Sequence, residues 1–254
     1  IGQLDGLMPR HLYLSNATRL TSVECPGNTD LLSIDIERCS YLQRVDLNGC
    51  NKLGTLQTSQ VLKVAGCNNL RYLNAAGTVV TSIDTNQSGG NLVEIYVPKT
   101  LQALSLRNQY SLKVVGLPAS SSLDGSKVYD LKQNASNMSS FTLINCPLVE
   151  RLTYSEDFGV SGNFFDNYAN ECEPSEINYL NYPEGEWKRL MSWGNGLANC
   201  YDIHIENSCY NVPSMSFRGI SNLNSLTLRS MPGLKTLMLG ANCCGYRYNN
   251  EPQY

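Results

Sequence analysis

Apolar residues recur along this chain with a fixed period of eleven, and this period constrains the fold more than any other feature of the sequence. Between residues 31 and 56 the apolar positions form three sets, each shifted by the same period from the set before. They are Leu31, Ile34, Ile36 and Cys39, then Leu42, Val45, Leu47 and Cys50, then Leu53 and Leu56. The same template returns between residues 215 and 239. Such a repeat predicts a solenoid, in which each coil packs only on its neighbours.

The spacing within each repeat predicts strands rather than helices. Two apolar residues that flank one other residue, as in Val45-Asp46-Leu47, show the alternation of a short β-strand, whereas an amphipathic helix repeats every 3.6 residues. The predicted fold class is therefore an all-β or mostly β repeat solenoid. We expect the middle residue of each triplet to face outward. These residues are Asp35, Asp46, Lys63, Asn74, Tyr96, Ser105, Thr142, His204, Ser216, Thr227 and Met238.

The eleven-residue unit is either one narrow coil or half of a larger one. We favour the half, because a coil of about 22 residues with strands on opposite sides encloses rows of aliphatic side chains without a strained cross-section. Leu226 and Leu237 would then lie on opposite walls, as would Asp35 and Asp46, which could not act as a catalytic carboxylate pair. An eleven-residue β-helix, which places Leu226 and Leu237 in adjacent strands of one sheet, is the alternative.

The segment from Ser40 to Leu53, SYLQRVDLNGCNKL, resembles the LxxLDLSGCxxL units of bacterial and phage leucine-rich repeats. The cysteine at this position resembles that of internalin-like adhesins. Coils interrupted by stretches rich in serine, tyrosine and asparagine also resemble repeat regions of large tail-associated proteins of gut bacteriophages. The resemblance implies leucine-rich-repeat coils of about 22 residues, each made of two equal half-repeats.

The repeat fails between residues 154 and 201, and the composition changes there. Ten of the 22 aromatic residues fall in this aromatic-rich insertion, including both tryptophans. Within it, Glu184 to Trp193 can form a short helix that Gly194 closes. The predicted organisation is a leucine-rich-repeat solenoid at 1–153, the insertion at 154–201, further repeat coils at 202–245 and a tail at 246–254.

The aromatic residues of the insertion allow two interpretations. They form a small satellite core over the solenoid, or they form a docking surface, because aromatic side chains concentrate at interfaces and repeat proteins place insertions on their binding face. The candidate partner-binding residues are Trp187, Trp193, Tyr179, Tyr182, Phe164 and Phe165.

The ten cysteines do not form one class. We expect Cys39, Cys50, Cys67 and Cys146 to point inward as small hydrophobic residues below the turn. Cys172, Cys200 and Cys209 lie in or beside the insertion and are better disulfide candidates. The vicinal pair Cys243-Cys244 is either a redox or metal site or a fortuitous pair. We favour the fortuitous pair, because it lacks the CxxC spacing or nearby histidine of a zinc site, so we expect no metal and no cofactor.

Two histidines are present, and we expect both at outward positions. His11 precedes the triplet Leu12-Tyr13-Leu14, and His204 is the middle residue of Ile203-His204-Ile205. Solvated strand positions of this kind favour a structural role over catalysis, and the sequence contains no hydrolase, phosphate-loop or dinucleotide motif.

Charge and hydropathy limit the partners. A net charge of −3 gives no basic surface for nucleic acid, and no apolar run reaches the length of a membrane span. Because the chain opens at Ile1 without a visible signal peptide, we expect it to be a piece of a larger extracellular or virion-associated protein.

The function predicted from these features is that of a non-enzymatic structural or adhesion module. Its expected partners are protein subunits of a larger assembly or a host-surface protein or glycan. The alternative is a polysaccharide hydrolase or lyase on a β-solenoid scaffold, with carboxylates from the insertion. Those carboxylates are Asp157, Asp166, Glu171 and Glu173.

Overall fold

A computed structural model describes residues 9–85, 88–117, 138–154, 200–216 and 223–238. These ranges contain sixteen short β-strands and one 3-10 helical turn, Gln57–Ser59. The strands are β1 (His11–Tyr13), β2 (Ser22–Glu24), β3 (Ser33–Asp35), β4 (Arg44–Asp46), β5 (Val61–Lys63), β6 (Tyr72–Asn74), β7 (Ser82–Asp84), β8 (Glu94–Tyr96), β9 (Ala103–Arg107), β10 (Val114–Leu117), β11 (Ser140–Ile144), β12 (Arg151–Tyr154), β13 (Asp202–Glu206), β14 (Ser214–Ser216), β15 (Ser225–Arg229) and β16 (Thr236–Met238).

The strands alternate between two parallel series. Each strand ladder joins a strand to the strand two places further along the chain. Strands β2 to β12 of the even series form a six-stranded sheet, and β9 to β15 of the odd series form a four-stranded one, while β1-β3, β5-β7 and β14-β16 form pairs. Backbone bonds from Arg38 N to Ala65 O (2.8 Å) and from Gln102 N to Thr81 O (3.2 Å) continue the odd series between its sheets. We call the odd series the first wall and the even series the second wall.

The register fixes the length of the coil. His11 pairs with Ser33 one coil further on, a separation of 22 in sequence, and Val23 pairs with Val45 at the same separation. Leu226 pairs with Ile203 and Leu237 pairs with Met215, so the two leucines lie in different sheets. This confirms the longer coil and excludes the eleven-residue β-helix.

The core consists of inward side chains stacked in rows from coil to coil. On the second wall Val45, Leu73 and Ile95 are neighbours in one row and are fully buried. Leu47 is fully buried as well, while Asp46 between the two inward residues of its triplet is half-buried. The predicted inward and outward positions are therefore confirmed for this triplet, and burial of such rows is the main stabilising contribution.

After most of the described strands, one residue adopts a left-handed backbone conformation. On the first wall this residue lies five positions after the strand begins, and its members are Asn16, Arg38, Gly66, Asn108, Asn145, Asn207 and Ser230. Asparagine and glycine adopt this conformation most readily. At Gly66 a side chain would also meet the backbone, since a Cβ would lie 3.1 Å from Arg38 Cα. The turn that bends each coil therefore favours glycine or asparagine.

The described part of the chain is a leucine-rich-repeat-like solenoid of parallel strands, as the sequence predicts. The expected short helix from Glu184 to Trp193 lies outside the described residues.

Candidate functional site

The two connections of each coil differ in how much their length varies. From the first wall to the second, the starts of successive strands are eleven or twelve positions apart in all eight described cases, and we call this connection the constant arc. The return from the second wall to the first is the variable arc, and most of its steps are nine to eleven positions long. Three steps are longer, and they run from Arg44 to Val61, from Val114 to Ser140 and from Arg151 to Asp202. Insertions therefore occur on one side of the solenoid.

The insertion does not disturb the strand register on either side of it. Strands β11 and β13 pair over five residues, with Phe141 opposite Ile203, although the paired positions are separated by 62 in sequence. The six candidate partner-binding residues and the four candidate carboxylates all lie within 155–199, outside the described residues. The structure describes where the chain enters this segment, at Tyr154, and where it returns, at Cys200.

A charged and aromatic cluster covers the outer face of the second wall. Arg44 donates a hydrogen bond to Asp46 (Nη2 to Oδ2, 2.9 Å), and its Nε lies 3.6 Å from Glu24 Oε2. Its guanidinium carbon stands 3.7 Å from the centre of the Tyr72 ring, within the range of a cation–π interaction. Both carboxylates therefore have their counter-ion on the same surface, and exposed pairs of this kind contribute at most about 1 kcal/mol each.

The cluster continues through a second tyrosine. The Tyr72 and Tyr96 ring centres are 5.8 Å apart. Tyr96 lies against Gly116, where a Cβ would overlap its ring. Asn74 is buried beside the tyrosines and donates a hydrogen bond to the Tyr72 hydroxyl (3.3 Å). We interpret this surface as a brace across successive coils, because its polar groups bond to one another.

An asparagine ladder follows the strands of the first wall. Asn145 Nδ2 donates to Asn108 Oδ1 (2.8 Å), and Asn207 Nδ2 donates to Asn145 Oδ1 (3.2 Å). These are the residues with left-handed backbone in three successive coils. Asn108 is exposed, and Asn145 and Asn207 are half-buried, so the ladder lies at the surface of the first wall.

His204 takes the outward position that the sequence predicts for it. It is half-buried, and its Nε2 lies 2.9 Å from Glu206 Oε2. This hydrogen bond, together with the nearby Arg229, lowers the pKa of Glu206 below its ordinary value. His11 is exposed, and its Nδ1 lies 2.7 Å from the Ser33 hydroxyl. Each histidine thus bonds to a neighbouring side chain on the wall surface.

The inward cysteines bond to the backbone of the preceding coil. The thiols of Cys39, Cys50 and Cys67 donate to carbonyl oxygens at 3.0 to 3.1 Å. All three are fully buried, as is Cys146, which confirms the inward positions. Cys200 and Cys209 are buried free thiols as well, so their assignment as disulfide candidates is wrong for this structure. Both residues fill inward positions of the regular coil that resumes after the insertion.

We expect the buried thiols to be unreactive toward Ellman's reagent under mildly alkaline conditions. Burial raises the pKa of Cys50 and of Cys200 to about 12, and that of Cys146 to about 11, so the reactive thiolate is scarce. In the unfolded chain the pKa returns to an ordinary value near 9.0. Mass spectrometry after labelling, with and without denaturant, would locate the modified cysteines. Native labelling of Cys50 as fast as in the unfolded chain would contradict this prediction.

The same pKa values predict how stability depends on pH. A thiol whose pKa is higher in the folded state stabilises that state fully below a pH of about 9, and this contribution is lost as the pH rises toward about 12. The free energy of unfolding should therefore fall over this range. The fall should be shallower in Cys50→Ala, which has one fewer such thiol, than in the parent chain.

Sequence reasoning missed two features of the surface. Arg44 and Tyr72 occupy the first position of their strands, and the step between them is six positions longer than the regular coil. The regular period of the sequence therefore does not predict that these two residues are neighbours. The asparagine ladder does carry a sequence signal, because Asn108, Asn145 and Asn207 each follow an aliphatic residue by two positions.

Within the described ranges, no helix is long and apolar enough to cross a membrane, and no three His, Cys, Asp or Glu side chains group as a metal site. No family model and no curated protein matches the sequence. Among solved structures, the chain is similar to a leucine-rich repeat protein from Bacteroides ovatus ATCC 8483, at 12% identity and a TM-score of 0.36. The match covers 92% of this chain and 57% of that protein, so the chain spans little more than half of its length.

Proposed function

We propose that this chain is a non-enzymatic structural and binding module of a larger extracellular or virion-associated assembly. In this proposal the solenoid is the scaffold, and the insertion contacts a protein or glycan partner. This setting rests on the resemblance of the segment Ser40 to Leu53 to repeats of internalin-like adhesins, and on the resemblance of the interrupted coils to repeat regions of large phage tail-associated proteins.

The observation that carries the proposal is the restriction of long insertions to the variable arc. The constant arc holds the strand spacing in every described coil, and the ladder between β11 and β13 is intact across the longest step. A scaffold of this kind can display a long segment without loss of its own packing. Repeat proteins commonly place their insertions on the binding face.

The chemistry of the thiols is compatible with an oxidising medium. The described cysteines are free, six of the seven are buried, and burial raises the pKa of each of them. Oxidation proceeds through the exposed thiolate. Burial of this kind protects thiols from oxidation, so their presence does not oppose the proposed location.

We expect Trp187→Ala or Trp193→Ala to weaken partner binding by about 2 kcal/mol or more, because a few aromatic anchors commonly dominate interface energetics. This loss corresponds to roughly a 30-fold rise in Kd. The measurement is biolayer interferometry of the intact chain on immobilised mucin and host-surface glycans. Circular dichroism and thermal unfolding should remain unchanged.

Tyr13→Ala is the matched control, since Tyr13 is an aromatic residue in the first described coil with 78% of its surface exposed. It should leave binding unchanged. If both tryptophan variants unfold and neither alters the affinity of the folded fraction, the tryptophans belong to a satellite core, and the strand faces carry the contact. Steady release of reducing ends from these glycans, abolished by Asp166→Asn or Glu171→Gln, would contradict a purely binding role.

A further inference from the structure

The constant arc carries an exposed ridge of tyrosine and proline. The four residues occupy the same position in four successive coils, the fourth position before a second-wall strand begins, and they are Tyr110, Pro147, Tyr210 and Pro232. Tyr210 N donates a hydrogen bond to Pro147 O (2.9 Å), which fixes the stacking of these two coils. Tyr110 and Tyr210 are 57% and 41% exposed, Pro232 is exposed as well, and Pro147 between the tyrosines is half-buried.

The packing around the ridge holds the tyrosines at the surface. Gly90 lies beneath Tyr110, since a Cβ there would be 3.5 Å from the ring. At Gly233 a Cβ would overlap the carbonyl oxygen of Tyr210, so only glycine allows the last described coil to stack this closely on Tyr210. Close backbone approaches therefore fix the chain at both tyrosines, while their side chains remain exposed.

The asparagine ladder runs directly beside the ridge. Tyr110 and Asn108 are two positions apart, and the tyrosine hydroxyl lies 3.4 Å from Asn108 Oδ1. Asn145 and Asn207 continue this ladder toward Tyr210. The surface thus combines a line of apolar rings with a parallel line of amide donors and acceptors, and none of the residues in either line carries a charge.

We propose that this ridge and ladder bind an extended, uncharged polysaccharide with β-1,4 linkages. Coils that stack through parallel strands are about 4.8 Å apart, so Tyr110 and Tyr210, two coils apart, are separated by roughly 10 Å. In a β-1,4-linked chain the sugars turn over alternately, and each advances the chain by about the distance between coils. Every second sugar then presents the same apolar face, which stacks on one of the two tyrosines.

The polar groups and the size of the surface favour this ligand. Sugar hydroxyls both donate and accept hydrogen bonds, as do asparagine amides. Neither the ridge nor the ladder contains a charged side chain that would attract nucleic acid or an acidic polymer. A stable protein interface buries about 1,200 to 2,000 Å², whereas a row of four side chains is far narrower. The site lies on the constant arc and does not depend on the insertion.

The test is isothermal titration of the intact chain with cellohexaose and β-1,4-mannohexaose. At least one of the two should bind. Tyr110→Ala and Tyr210→Ala should each reduce its affinity about tenfold, a loss of about 1.4 kcal/mol. The corresponding disaccharide should bind about tenfold more weakly than the hexasaccharide, because the two sugars that stack on the two rings are separated by a third sugar, so a disaccharide reaches only one ring. Tyr110→Phe should retain binding, since stacking needs the ring and not the hydroxyl.

Matched variants separate this site from the proposed role of the insertion. Tyr41→Ala removes a tyrosine that is 60% exposed on the constant arc but lies outside the ridge, and it should leave the affinity unchanged. Trp187→Ala should also leave hexasaccharide binding intact, whether or not it alters binding to mucin. Unchanged thermal unfolding of the tyrosine variants shows that the loss is local.

Four outcomes would overturn the proposal. The first is a lack of binding to both hexasaccharides, and the second is that the curved α-1,4-linked maltohexaose binds with the same affinity. The third is an unchanged hexasaccharide affinity in the Tyr110→Ala/Tyr210→Ala double variant. The fourth is that Trp187→Ala, and no tyrosine variant, loses hexasaccharide binding. If the double variant loses binding to a deglycosylated protein but keeps its affinity for the hexasaccharides, the ridge is a protein contact and the proposal is wrong.

Discussion

Phe141→Ala is expected to lower the free energy of unfolding by about 3 to 5 kcal/mol. Phe141 is fully buried at the centre of the four-stranded sheet, between Leu104 and Ile203 in one inward row. Removing the ring leaves a cavity that both neighbouring coils would have to fill. Urea titration followed by far-ultraviolet circular dichroism would measure the change as a lower midpoint.

Thr142→Ala is the control for this prediction, because Thr142 is the next residue of the same strand and lies in the outward row between Ser105 and His204. Its replacement should change the free energy of unfolding by about 0.5 kcal/mol or less. Equal losses in the two variants would show that the inward and outward assignment of β11 is wrong.

Leu47→Ala is expected to lower the free energy of unfolding by about 2 to 5 kcal/mol. Leu47 is fully buried between neighbouring coils. Leu228 is its matched comparison, because it is also the second apolar residue of an LxL triplet but lies in the last described first-wall strand and is only half-buried. Leu228→Ala should therefore fall at or below the lower end of that range. A loss as large as that of Leu47 would mean that a further layer covers this coil.

The outward control beside Leu228 is Thr227→Ala, which should change the free energy of unfolding by about 0.5 kcal/mol or less. Asp46 beside Leu47 is a poorer control than the strand pattern suggests. Its carboxylate accepts hydrogen bonds from Arg44 and from the backbone N–H of Asn48, so Asp46→Ala removes two bonds and should exceed this limit.

The length of the coil could be predicted from the sequence. The spacing of Leu226 and Leu237 allows a coil of eleven or of 22 residues, and only the longer coil has room for the rows of aliphatic side chains. Strand partners were harder to predict where the step departs from the regular coil. Arg44 and Tyr72 stack after a longer step, and Glu94 and Val114 stack after a shorter one. Alternation also predicts that Tyr96 faces outward, but not that neighbouring side chains bury it to 5% exposure.

The candidate site was predictable only in part. The composition identifies the insertion by its many aromatic residues, among them Trp187 and Trp193. Composition alone does not show where these side chains lie in the structure. Cys200 was misread because it adjoins the insertion, whereas its inward position depends on the coil that resumes after it. The ridge could not be predicted, since Tyr110 and Tyr210 lie far apart in the sequence and come near each other only through two irregular steps.

Insertions in the variable arc and insertions in the constant arc are expected to differ in their effect on folding. Lengthening the variable arc from its shortest form to the step between Arg151 and Asp202 is about two and a half doublings, which by loop-closure entropy costs roughly 1.5 kcal/mol, less than the loss of one buried leucine. Lengthening the constant arc would move the turns that stack Gly66 on Arg38 and Gly233 on Tyr210. Segments on the variable arc can therefore be acquired, shortened or exchanged without renewed selection for folding, while the pitch of the solenoid is retained.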